Sequence, residues 1–261
     1  MMASPLTRDS GDHSFNSRVL FKDKPMSKSS PVVIIFGGSR GIGAACAKAF
    51  AEAGWQVAST YSTKAAAAAP GKSYQVDIRD AAAVAKVFDQ AQADFGAAPQ
   101  AVIANAGINV PGAPLASFNP DAFRQLLDVN LIGAFNVLAE AARRVQDNGA
   151  IVAITTSLVR HVVPGTGPYA ATKAAVESLV RSMAKELSGR GVRVNAVAPG
   201  PVDTDLFNAG KTEEVKQRMA AMSPFNRIGR PEEVAEVVRF LASDQASWVQ
   251  GQVVQPNGGM V

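Results

Sequence analysis

The chain has a single cysteine among its 261 residues. One thiol excludes an internal disulfide, and Cys46, expected on the inward face of a helix, fits packing in a reducing, cytoplasmic setting. Long apolar runs are missing too. No stretch approaches the roughly 18 to 20 uninterrupted apolar residues of a membrane span, so no membrane association is predicted. Residues 1–30 lack the apolar core of a secretion signal and hold few periodic apolar positions. They read as a loose tail, and Met26, just before Ser27-Lys28-Ser29-Ser30, reads as a natural start of translation. Charge of one sign is scarce. The formal net charge is +4 and the pI about 9.3, yet half of the excess falls in the tail, with five basic and three acidic side chains in residues 1–30. The remainder has no lysine-arginine stripe and no interleaved aromatics, which argues against nucleic acid as a partner. No metal site is expected.

What is present is a strong alternation. Apolar runs at 32–36, 56–60, 73–77, 100–105, 149–155, 191–198 and 252–255 alternate with helical patterns at 41–53, 80–95, 120–146, 168–188 and 231–243. With 47% hydrophobic residues, the chain can bury one substantial core, placed here at 31–261. The alternation predicts an α/β fold in which seven parallel strands are covered by helices on both faces. The alanine run 65–69, ending at Pro70-Gly71, reads as a short helix and turn.

The first strand, Val32 to Phe36, runs directly into Gly37, Gly38, Ser39, Arg40, Gly41, Ile42, Gly43, and then into an amphipathic helix ending near Gly54. Strand, glycine turn and helix suit a dinucleotide pyrophosphate. Glycine lets the backbone approach the phosphates, and the helix N-terminus offers unpaired N–H groups at a positive dipole end. The spacing is Gly-x-x-x-Gly-x-Gly. No lysine followed by serine or threonine closes the turn, which argues against a nucleoside triphosphatase loop.

A second motif, Tyr169-Ala170-Ala171-Thr172-Lys173, puts a phenol and an ammonium on one face of a helix. A neighbouring cation favours phenolate, so the lysine is expected to pull the tyrosine's pKa down toward the working range. The upstream hydroxyl of Ser157 is placed to hold a carbonyl oxygen beside the phenol.

Together these residues resemble the short-chain dehydrogenase/reductase family from about Pro31 onward, with Asn105-Ala106-Gly107, Asp77, Asn130 and Pro199-Gly200 where that family carries them. Val197 to Phe207 and Asn257-Gly258-Gly259 look most like 3-oxoacyl-[acyl-carrier-protein] reductases and hydroxynaphthalene-reductase-like carbonyl reductases. The resemblance implies a single Rossmann-type doubly wound domain, a homotetramer, and hydride transfer with Tyr169, Lys173, Ser157 and Asn130 as catalytic residues. Asn130 would stabilise a water linking Lys173 to solvent. Counted along the strand without gaps, the family's serine falls on Thr156 instead of Ser157, and that alternative stays open. Phe36 is a departure, since relatives usually carry a threonine that braces the turn.

By the same resemblance Gly37, Ser39, Arg40, Gly41, Ile42 and Gly43 would hold the pyrophosphate. Asp77 and Ile78 would flank the adenine, Asn105, Ala106 and Gly107 back the ribose, and Lys173 reach the nicotinamide ribose; Tyr169, Pro199, Gly200, Val202 and Thr204 complete the site. A carboxylate after the second strand would bind a free ribose diol, but the sequence there is Ser59-Thr60-Tyr61-Ser62-Thr63-Lys64. Without an acid, and with Arg40, Tyr61 and Ser62 available to a 2′-phosphate, the expected cofactor is NADP(H).

Substrate walls are expected at Asn109 to Pro111, Leu158 to Pro164 and Leu206 to Phe225. Their apolar character suits either an acyl thioester or a fused aromatic ketone. Arg160 and His161 are candidates to meet an anionic group, and 204–225 reads as a mobile lid. A nucleotide-binding sensor without turnover is the alternative of a different class.

Overall fold

The computed structural model describes residues 30–261. The expected tail and the start at Met26 lie outside them, apart from Ser30. Seven strands form one parallel sheet: β1 (Val32–Phe36), β2 (Gln56–Tyr61), β3 (Lys72–Gln75), β4 (Ala101–Ala104), β5 (Ala150–Ile154), β6 (Arg193–Val197) and β7 (Val253–Val254). Their order is β3-β2-β1-β4-β5-β6-β7. The chain winds outward from β1 one way to β3 and the other way from β4 to β7, so the crevice between β1 and β4 is where the winding reverses.

The middle strands are buried on both faces, which explains runs such as Val32 to Phe36 with no polar alternation. One face packs on α2 (Ala81–Phe95), α4 (Ala134–Arg144) and α5 (Gly167–Glu186) through Ile34, Phe36, Phe88, Leu138 and Val180. The other packs on α1 (Gly41–Glu52) and α6 (Pro231–Ala242) through Ile35, Cys46, Phe50, Val238 and Leu241. Cys46 is fully buried there, and burial pushes its thiol up to about 12, consistent with packing.

Two expectations change. The helix expected over 120–146 is α3 (Pro120–Leu126), a wider π-type segment Leu127–Gly133, and then α4. Asn130 lies inside that π-type segment, where the altered turn is a local signal of function. The alanine run 65–69 forms no helix. Five good helix formers fall short of the length that repays nucleation, and Pro70-Gly71 stops any extension. Gly71, at φ +75°, is drawn against the neighbouring strand: an added Cβ would lie 2.0 Å from Val57 O.

Candidate functional site

The glycine turn is built for close approach. Gly37 sits at φ +80°, and a Cβ there would meet Ala106 Cα at 2.8 Å. On Gly43 a Cβ would lie 2.0 Å from Gly37 O, and on Gly41 it would lie 3.0 Å from Thr204 Cγ2. These contacts bring the turn, the end of β4 and the segment after β6 together. Asn105 fixes the arrangement by donating from Nδ2 to Gly37 O at 2.8 Å. Side chains at these positions would collide with Ala106, Gly37 O and Thr204, so the glycines keep the tight turn that leads into the α1 N-terminus, an arrangement that fits a dinucleotide pyrophosphate.

A cleft of about 850 Å³ opens beside this turn. Ile42, Asn105, Gly107, Tyr169, Lys173, Pro199, Gly200, Val202 and Thr204 all line it, as do Thr156 and Ser157. Ser39, Arg40, Tyr61, Ser62, Asp77 and Ile78 do not. They lie farther along the same sheet edge, at or just after the ends of β1, β2 and β3, where the adenosine end of an extended dinucleotide would run. Arg79 grips Asp77 through Nε at 2.9 Å to Oδ1 and Nη2 at 2.5 Å to Oδ2, and this bonding holds the carboxyl below its usual range. Asn136, not anticipated from the sequence, donates to Ile78 O at 2.9 Å and holds that loop against α4.

Tyr169 and Lys173 project from α5 into the cleft. The expected direction of the tyrosine's shift is corrected. Burial pushes the Tyr169 phenol up to about 12 and lowers the Lys173 ammonium to about 8. Desolvation disfavours both charged forms, and neither side chain makes an ion pair among the described residues. Lys173 Nζ donates instead to Ile154 O at 3.0 Å. Gly107 leaves the room for this, since a Cβ there would approach Asn130 Oδ1 at 3.1 Å and Lys173 Nζ at 3.3 Å.

The two candidate hydroxyls differ in what they touch. Ser157 is 1% exposed, donates from Oγ to Ala198 O at 2.8 Å and accepts from Asn257 Nδ2 at 3.3 Å. Its only proton is committed. Thr156 Oγ1 accepts from Leu158 N at 3.3 Å and keeps its own proton, so the geometry favours Thr156 over Ser157 as the hydroxyl able to donate to a ligand. The Asn130 side chain bonds the main chain of Ile108 in both directions, with Nδ2 also 3.5 Å from Thr172 Oγ1, and so positions the loop after β4.

The remaining walls are apolar: Val110, Pro111, Phe118, Leu158, Val163, Leu206, Phe207, Met219 and Met222 among them. Phe225 lies instead on a smaller neighbouring cavity and is 69% exposed. Arg160 is not available to a substrate, because its guanidinium makes two 3.0 Å bonds to buried Glu177. Thr155 Oγ1 donates to the same carboxylate at 3.1 Å, tying the segment after β5 to α5. Sequence reasoning missed this clamp, which requires knowing that Glu177 faces inward two turns beyond Tyr169. His161 lines neither cavity.

The family model described as enoyl-(acyl carrier protein) reductase matches residues 37–261. The chain belongs to the short-chain dehydrogenase/reductase family. It is 38% identical over 260 residues to an NADPH-dependent aldehyde reductase-like chloroplastic protein of Arabidopsis thaliana, covering 91% of this chain and 96% of that one. It is 40% identical over 250 residues to a short-chain type dehydrogenase/reductase of Picea abies, with 88% and 92% covered. Among solved structures, a short-chain dehydrogenase/reductase from Serratia marcescens superposes with a TM-score of 0.81 at 32% identity, covering 89% of this chain and 98% of that one. This short-chain dehydrogenase/reductase is accordingly an oxidoreductase of the nicotinamide-dependent type, with a single α/β domain.

Proposed function

We propose that the protein is an NADP(H)-dependent reductase of apolar aldehydes or ketones. The observation that carries this reading is one cleft shared by Tyr169, Lys173, Thr156 and the glycine-turn helix. When bound, a nicotinamide dinucleotide would supply hydride chemistry at the carbonyl carbon. Thr156 donates a hydrogen bond to the carbonyl oxygen as negative charge develops there. Tyr169, protonated at neutral pH because burial raises its phenol, gives that oxygen its proton, and the carbonyl becomes an alcohol. Lys173, still largely charged at pH 7, balances the phenolate left behind and is the route for reprotonation.

The absence of an acid in Ser59 to Lys64 and the exposed guanidinium of Arg40 support NADP(H) over NAD(H). The name of the Arabidopsis relative points the same way. A 3-oxoacyl-[acyl-carrier-protein] substrate is the second reading, supported by the volume of the cleft and its apolar walls. A homotetramer and a cytoplasmic location belong to the same proposal and rest on the family resemblance and the single buried thiol.

The test follows absorbance of NADPH and NADH with aliphatic and aromatic aldehydes, bicyclic ketones, quinones and acetoacetyl thioesters. Consumption of NADPH with at least one carbonyl is expected. Tyr169→Phe is expected to keep NADPH affinity and lose about 10²- to 10⁴-fold in turnover. Tight NADPH binding with no consumption across the panel would replace the reductase by a sensor. Retained turnover in Tyr169→Phe would move the proton to another group.

A further inference from the structure

Phe36 puts a ring, and no hydroxyl, immediately before the glycine turn. That ring is fully buried and packs on Phe88 with centroids 5.8 Å apart, so it cannot brace the turn by hydrogen bonding. The brace comes from the adjacent strand. Thr60 Oγ1 accepts the N–H of Gly37 at 3.0 Å, and Thr60 O accepts the N–H of Gly38 at 2.9 Å. On the opposite flank Asn105 Nδ2 donates to Gly37 O at 2.8 Å. Because β1 lies between β2 and β4, the first glycine of the turn is gripped from both neighbouring strands.

We propose that Thr60 is a positioning residue that sets the glycine turn for the pyrophosphate, a role the Phe36 ring beside the turn cannot fill. The inference rests on the dinucleotide reading of the cleft. Glycine backbone is permissive, and a turn that must be ordered on binding spends affinity on that ordering. Thr60 removes part of this cost beforehand. Its side chain is 2% exposed and faces the turn, while the ribose-reading residues Tyr61 and Ser62 follow it. The effect of Thr60 therefore falls on the pyrophosphate, which NADPH and NADH share, and not on the 2′-phosphate that distinguishes them.

The test is fluorescence titration of the full chain with NADPH and with NADH, in wild type, Thr60→Val and Thr60→Ser, with binding stoichiometry measured alongside. Thr60→Val keeps the β-branched shape and removes the acceptor. It is expected to weaken both dinucleotides by the same factor, about three- to tenfold, with binding stoichiometry unchanged. Thr60→Ser restores affinity. A merely structural role would lower stoichiometry and turnover together while leaving the affinity of the folded fraction intact, and that pattern overturns the inference. So does Thr60→Val binding both dinucleotides as tightly as wild type. Wild-type protein that binds neither dinucleotide overturns the reading of the cleft, and this inference with it.

Discussion

Asn130 and Ile108 form a closed two-point clamp: Asn130 Nδ2 donates to Ile108 O at 2.9 Å, and Asn130 Oδ1 accepts from Ile108 N at 2.8 Å. A primary amide satisfies the main chain of one residue in both directions, and Asn130 is completely buried. The clamp ties the π-type segment to the loop that follows Gly107, and so to the wall facing Lys173.

Asn130→Ala leaves the half-buried N–H and C=O of Ile108 without their partner. It is expected to lower unfolding stability by about 2 to 3 kcal/mol, read from urea denaturation. Asn130→Asp keeps the acceptor, loses the donor and buries a charge, and is expected to cost at least as much at neutral pH. A stability change within about 0.5 kcal/mol in both variants would remove the clamp from the account of this site.

Thr156 and Ser157 separate cleanly. Thr156→Val is expected to reduce turnover by about 10²- to 10³-fold, as for loss of one donor to a developing oxyanion, with little change in melting temperature. Ser157→Ala leaves Ala198 O and Asn257 Nδ2 without the hydroxyl that joins them, and is expected to destabilise by about 1 to 3 kcal/mol. Steady-state kinetics and calorimetry on both variants decide the assignment. A turnover loss confined to Ser157→Ala would return the role to that serine.

Arg40 stands at the N-cap of α1 with extended backbone, exposed, and among the described residues it forms no ion pair. Arg40→Ala is expected to raise the KM for NADPH about ten- to hundredfold, the range of a lost charge-assisted hydrogen bond, and to leave that for NADH nearly unchanged. Equal effects on both cofactors would mean that Arg40 acts on the turn and not on a 2′-phosphate.

The two buried groups of the cleft give stability a defined pH dependence. The folded-state pKa of Lys173 is lowered from 10.5 to about 8, so between those values the unfolded chain binds the extra proton and stability rises with pH. The folded-state pKa of Tyr169 is raised from 10.0 to about 12, so its contribution is complete below pH 10 and is lost as pH climbs toward 12. Unfolding titrations of ligand-free wild type and Lys173→Met are expected to diverge in slope between pH 8 and 10.5, the variant being flatter. Tyr169→Phe is expected to flatten the decline above pH 10. Parallel curves in either comparison would show that the group is hydrated in solution.

The sheet was readable because its strands are buried on both sides and interrupted by amphipathic helices, so Val32 to Phe36 and Ile151 to Ile154 stand out as unbroken apolar runs. Tyr169 and Lys173 were readable because they stand one turn apart on one helix face, whereas Asn105 and Gly107 were legible only through the family resemblance. The π-type segment left no such trace, since Leu127 to Gly133 has an ordinary helical composition. Choosing between Thr156 and Ser157 required knowing where Ala198 and Asn257 lie, and both belong to strands or tails far along the chain. The rise of the Tyr169 pKa was equally hidden. Spacing shows that a cation is near, but only the fold shows how little water reaches the pair.

Met260 lines both the main cleft and the smaller cavity beside it, and Asn257 Oδ1 hooks the backbone there by accepting from Gly259 N at 3.0 Å and Met260 N at 3.3 Å. Anything fused behind Val261 would therefore emerge at the mouth of the reaction chamber. Affinity handles placed at that end would report on a partly plugged enzyme.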